Sequence, residues 1–238
     1  GCGQKGFQEN ALVRAKGHYD IHCVHLHDGF SAYAAGILGK CFPMRKELGV
    51  TVPWYPNETA LTTVNGAEDG VAKAVWMKIV WSWAHGAASY VWYNLRATGW
   101  DPKDSEQGYG LLEADFHPRA GFAAFSALAK VLSGADFKTI VYERKGRHVY
   151  LFRNGGDLVV MGWDPFPGKV GLVKVKTDAR EAVLVDVMGN VRKATACTGG
   201  FVLELTDLPG ALVLRAATFA EADETGLDDV PEPNTRKI

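Results

Sequence analysis

The chain has 238 residues, with 26 Lys+Arg against 27 Asp+Glu and a formal net charge of -1. That balance excludes the basic surface a phosphate-backbone binder needs. No apolar run reaches the roughly 20 residues of a membrane span; the longest, 71–88, is interrupted by Lys73, Lys78 and His85. A hydrophobic share of 47% with 22% charged residues excludes wholesale disorder and fits one or two folded domains.

In chain order, Tyr19 to His25 reads as a nearly continuous buried strand. Residues 30–48 have a helical pattern that Pro43 is expected to split, because proline removes a hydrogen bond and clashes with the preceding turn. Val50 to Tyr55 is the next expected strand. Asn65 and Glu68 have the spacing of a helix cap with its reciprocal acid. Behind them Val71, Val75, Ile79 and Trp83 recur every four residues, which predicts an amphipathic helix stopped by Gly86. Ala88 to Leu95 is a third expected strand, and Pro118 opens a last helix. Strands joined by helical crossovers predict an α/β layer with parallel strands.

After Gly134 short alternating strands follow at roughly ten-residue spacing, with turn formers such as Lys145-Gly146, Pro165 to Gly168 and Pro209-Gly210 between them. This pattern predicts an antiparallel β-sandwich. The expected organisation is an α/β part over 1–135, a sandwich over 136–217 and a mobile acidic tail over 218–238. Cys2, Cys23, Cys41 and Cys197 show no metal or redox spacing, and Cys23 is expected as a buried thiol.

Three clusters could carry chemistry. Glu58 follows an apolar strand, at the edge where parallel α/β folds bind ligands, with Trp54 and Tyr55 ahead of it and Asn57 beside it. The bland alternative is a solvated loop glutamate. His25 and His27 share one side of their strand while His22 points to the other. The pair could be half a metal site, but the later strand ends offer only Glu58 and Asn94 as further ligands, so hydrogen-bonding roles are expected and no metal. Trp92 and Asn94 close the third strand and place an aromatic face and an amide at the same rim. The loop 101–112 is long and polar for a connection in a compact domain. No nucleophile elbow or phosphate-binding loop stands in a strand-to-helix context.

As an ordered set, Asp20 to His27, Pro53 to Glu58, Tyr90 to Asn94, Pro118 to Phe125 and the following strands resemble the C-terminal part of a clan A retaining glycoside hydrolase, closest to families 39 and 5. The resemblance implies strands six to eight of an incomplete (β/α)8 TIM barrel, followed by the sandwich. Glu58 is then the seventh-strand nucleophile, with His25, His27, Trp54, Asn57, Trp92 and Asn94 around a carbohydrate substrate. Neither metal nor organic cofactor is implied. A whole barrel takes on the order of 250 residues, and about 135 precede the sandwich here. The resemblance therefore implies a piece of a longer polypeptide, begun upstream of Gly1, with the acid/base outside it and little activity of its own. Relatives acting on polysaccharides are usually exported, which the resemblance carries over as an expectation. A non-catalytic carbohydrate-binding or scaffold protein, and a metal-dependent barrel hydrolase using His25 and His27, are the competing readings.

Overall fold

The computed structural model describes residues 5–144, 146–164 and 170–223. The chain divides into two compact units, Gly1–Phe125 and Ser126–Ile238. No helix among the described residues is long and apolar enough to cross a membrane.

The first unit is mixed α/β. Helix α1 (Lys5–Arg14) leads to β1 (His22–His25), α2 (Phe30–Gly36), a π turn (Ile37–Cys41) and α3 (Phe42–Glu47). The run stays helical through Pro43, but it changes from α to π over Ile37–Cys41 directly before it, so the expected break is partial. Pro43 sits in the first turn of α3, which continues the π segment without a break in helical backbone. Strand β2 (Trp54–Glu58) pairs in parallel with β1. It starts four residues later than its apolar pattern suggests. Residues 50–52 are used to close the preceding turn, with the Val50 amide donating to Arg45 O at 2.8 Å and the Arg45 guanidinium donating to Val52 O at 2.5 Å. The cap of helix α4 (Thr63–Ala84) comes three residues earlier than the expected position 65: the Thr62 hydroxyl accepts from the Val64 amide at 3.4 Å. Its first turn is broken at Ala67 (φ 50°), and Glu68 accepts from the Ala120 amide at 3.2 Å, tying the kink to the start of α5 (Ala120–Leu132). At the far end Gly86 adopts φ +79°, a conformation costly for any side-chain-bearing residue, and the helix stops.

The third extended segment, 87–93, runs parallel to β2 but forms only isolated bridges, Trp54 with Ala87 and Thr59 with Trp92. The reason is in β2. Pro56 accepts from the Val91 amide at 2.9 Å but has no N–H to return, so the ladder is interrupted midway. Tyr33, Trp76, Trp81 and Val75 are fully buried beneath this layer, with the Tyr33 hydroxyl 2.7 Å from Ser82 Oγ. Cys23 is half-exposed rather than buried; its thiol meets the Tyr55 hydroxyl, and that hydrogen bond raises the tyrosine above its ordinary range.

His22 points into the buried side, 3.0 Å from the Arg45 guanidinium. Burial, with Arg45 next, holds this imidazole down at about 4 from 6.5. Between those values the unfolded chain binds a proton that the fold refuses. Stability therefore falls as pH drops from 6.5 towards 4, by about 3 kcal/mol in total. His22→Gln should flatten that stretch of the urea midpoint against pH; an unchanged slope would assign the acid sensitivity to other groups.

The second unit is antiparallel. Strands β3 (Asp136–Arg144), β4 (Arg147–Asn154), β5 (Asp157–Trp163), β7 (Ala182–Asp186), β8 (Val191–Lys193) and β11 (Gly210–Leu214) form a six-stranded sheet in the order β3-β4-β5-β11-β7-β8. Strands β6 (Gly171–Thr177), β9 (Thr195–Cys197), β10 (Gly200–Leu205) and β12 (Ala220–Asp223) form a four-stranded sheet in the order β12-β6-β10-β9. In β6, Val173, Val175 and Thr177 are buried while Leu172, Lys174 and Lys176 are exposed, the alternation of a strand with one wet face. Val149, Leu158, Val160, Leu212 and Leu214 of the larger sheet share one buried cluster with Val173, Val175, Leu203 and Leu205 of the smaller. Each such side chain contributes roughly 1.5–3 kcal/mol by leaving water. Ala220–Asp223, inside the span expected as tail, pairs along β6. Residues 224–238, Lys145, the turn Pro165 to Gly168 and Cys2 lie outside the described residues.

Candidate active site

Glu58 is the last residue of β2, and its carbonyl accepts from the Leu26 amide at 3.3 Å. The pairing of β1 with β2 shifts between Val24 and His25: Val24 faces Pro56, but His25 faces Glu58, so Asn57 is skipped. Such a bulge re-aims the side chains that follow it. Here it brings both histidines to one carboxylate. His27 Nε2 lies 3.2 Å from Glu58 Oε1, and His25 Nδ1 lies 3.6 Å from Oε2. The Glu58 side chain is 37% exposed and the His27 side chain 24% exposed, so the carboxylate is held from behind and open in front. With its proton on Nε2, His27 donates to Glu58, which leaves its buried Nδ1 without a partner among the described residues.

Two tyrosines wall this group. The His27 ring meets Tyr93 edge-on at 5.6 Å and Tyr109 at 5.0 Å, and the tyrosine rings are 5.6 Å apart. The Tyr93 hydroxyl donates to Glu106 at 3.1 Å, a bond that raises it above its ordinary range; Tyr109 is raised chiefly by burial. Tyr109 arrives on the polar loop because Gly110 packs against the backbone of Arg96, Ala97 and Leu112, where a Cβ would collide. Asn57 Oδ1 and Asn94 Oδ1 are buried acceptors without partners among the described residues, and the Tyr93–Asn94 peptide is cis.

Two of the expected site residues are placed differently. Trp54 is at the opposite end of β2 from Glu58, is 4% exposed, and donates from its indole to His85 O at 3.2 Å with Phe42 against its ring. Along a strand four residues cover about 13 Å, so Trp54 cannot floor a group bound at Glu58. Trp92 is in register beside Thr59, but it is 7% exposed and its indole donates to Tyr109 O at 3.3 Å. Tyr93 and Tyr109 hold the aromatic wall instead. The length and polarity of the loop 101–112 marked its neighbourhood, but nothing local marked Tyr109 itself. Among the described residues no three His, Cys, Asp or Glu side chains converge in a metal-holding arrangement.

No protein-family model matches the chain, and no curated protein matches it. Solved structures do. The chain is similar to a family 39 glycoside hydrolase from the gut symbiont Bacteroides cellulosilyticus WH2, with a TM-score of 0.60 and 24% identity over 69% of this chain and 34% of that one. It is similar to a glycoside hydrolase family 30 endoxylanase from Clostridium papyrosolvens C71, with a TM-score of 0.56 and 13% identity over 82% and 49% of the two chains. A beta-porphyranase of glycoside hydrolase family 86 from the human gut bacterium Bacteroides plebeius matches with a TM-score of 0.54 and 12% identity over 91% and 44%. The fold is glycoside hydrolase-like, and the chain spans 34% to 49% of the length of these structures.

Proposed function

We propose that this chain is the C-terminal part of a retaining glycoside hydrolase of clan A, related to families 39 and 5, in which Glu58 is the nucleophile. In this reading β1, β2 and the segment 87–93 are the sixth, seventh and eighth strands of a (β/α)8 barrel ending near residue 135. The antiparallel sheets that follow form a sandwich domain running to about residue 217, extended by β12. The observation that carries the reading is the Glu58 carboxylate. It ends a parallel strand, stands partly open to solvent, faces an imidazole at each oxygen and is walled by Tyr93 and Tyr109. Further support comes from apolar side chains left exposed on the first unit, Val91 at 45% and Leu95 at 62%, as a partial barrel would leave them.

The chemistry is a double displacement. A Glu58 oxygen attacks the anomeric carbon while the bond to the leaving oxygen breaks. A second carboxylic acid, about 5–5.5 Å away on a strand outside this chain, gives that oxygen its proton. The same group then takes a proton from water, which attacks the anomeric carbon and frees Glu58 with the configuration retained. His27 and His25 hold the carboxylate at its angle of attack. In this reading Asn57 and Asn94 belong to the sugar subsite; their side-chain oxygens are buried and become available to sugar hydroxyls only when the amides turn. Neither step needs a metal or organic cofactor.

The test is Glu58→Ala in the full-length protein containing this chain, assayed on aryl glycosides of xylose, glucose, galactose and mannose. Loss of turnover with the fold intact is expected. Undiminished turnover would end the assignment. A glycan-binding scaffold would instead bind these sugars with no Glu58-dependent hydrolysis.

A further inference from the structure

Beneath the site lies a lysine that the proposed chemistry does not use. Lys78 projects from α4, is 0% exposed, and donates to Ala60 O at 2.7 Å and to Thr59 Oγ1 at 3.3 Å. Thr59 follows Glu58 directly. Its hydroxyl in turn donates to Leu26 O at 2.6 Å, between His25 and His27, and its carbonyl accepts from the Tyr93 amide at 3.0 Å. One residue thus touches the ends of all three extended segments, and the buried ammonium holds that residue from below. The Tyr33 ring at 5.1 Å and the Trp92 ring at 5.9 Å flank the charge.

Resting on the reading of Glu58 as nucleophile, we infer that Lys78, acting through Thr59, is a positioning residue that fixes the Glu58 carboxylate against His25 and His27. A fully buried lysine is rare unless its charge is paired or otherwise satisfied, because leaving water disfavours the charged form strongly. Burial brings Lys78 down to about 7, opposed by the negative charge of Asp28. A residue serving only to fill space here would be apolar and would avoid that cost. What the lysine adds is a donor fixed on two oxygens of a strand end, Ala60 O and Thr59 Oγ1. Two histidines from the end of β1 must meet one carboxylate at the end of β2, and displacement by about 1 Å costs on the order of a hundredfold in rate.

The experiment measures covalent labelling of Glu58 in the full-length protein by intact and peptide mass. The probe is the 2-deoxy-2-fluoro analogue of whichever aryl glycoside the parent turns over. Parent, Thr59→Val and Lys78→Met are compared, with the thermal midpoint of each recorded. Thr59→Val conserves shape and removes the hydroxyl through which Lys78 reaches Leu26 O, both bonds at once, so its labelling at the parental rate decides against the inference even if Lys78→Met does not fold. The expected result is a maximal labelling rate lowered about 10- to 100-fold in the variants, with the half-saturating probe concentration changed by less than about threefold, the pattern of misaligned attack and not of lost binding. Labelling of folded Thr59→Val at the parental rate would overturn the inference while leaving Glu58 as nucleophile. Parent protein labelled at another residue, or at none, would overturn the nucleophile reading and this inference with it.

Discussion

Glu58→Ala is expected to lower kcat on an activated aryl glycoside by about ten-thousand-fold or more, the scale on which enzymes lose rate when the attacking group is removed. Azide should restore part of the loss. The truncated side chain leaves a gap beside the anomeric carbon, and a small anion can enter it from the face that the carboxylate occupied. Azide nitrogen then bonds to carbon as the aryl oxygen departs, in one displacement instead of two, so the glycosyl azide has inverted configuration. Product configuration read by NMR is the decisive measurement, since no structural role of Glu58 yields an azide adduct. The site is open enough for this, with Glu58 37% exposed and His25 41% exposed. Absence of any glycosyl azide from a folded Glu58→Ala protein, together with turnover within about tenfold of the parent, would place Glu58 outside the reaction.

The second large effect concerns stability of the antiparallel unit. Arg147 opens β4 and Asp164 follows β5, so the pairing of His148 with Trp163 sets the two charges opposite each other. Arg147 Nε donates to Asp164 Oδ2 at 2.6 Å, with the side chains 4% and 0% exposed. Arg147→Ala should cost about 3–5 kcal/mol, because a carboxylate would remain buried without its main counter-charge. That is a large part of the roughly 5–15 kcal/mol that holds a typical domain folded. The double variant Arg147→Met with Asp164→Leu should recover most of the loss, since both desolvation costs disappear together. Urea midpoints of the two singles and the double close the cycle. A loss below about 1 kcal/mol in the single variant would mean water reaches the pair.

Much of the architecture was legible locally. The i, i+4 recurrence of Val71, Val75, Ile79 and Trp83 marks a helix wherever it is packed, and the alternation along Val173, Lys174, Val175 and Lys176 marks a strand with one wet face. Pro43 was legible in part: the run keeps its helical course but turns to a π segment directly before the proline. Trp54 misled because its strand starts later than its apolar run. Once Val50 and Val52 are committed to Arg45 and the turn, Trp54 moves to the buried end.

The candidate site was harder to read, since its parts lie far apart along the chain. Glu58 could be placed at a strand end from its neighbours alone, because apolar runs and their punctuation are local properties. The grip of two histidines on its oxygens depends on one skipped residue in a pairing between segments more than thirty positions apart. Lys78, which in sequence only interrupts an apolar helix, becomes the donor under that strand end when α4 packs beneath it. Periodicity is set by the backbone of each residue and its near neighbours, so composition and spacing determined the helices, the strand-rich second half and the candidate acid. Register, bulges and convergence are set by hydrogen bonds between distant segments competing for the same donors, and these only the folded chain decides.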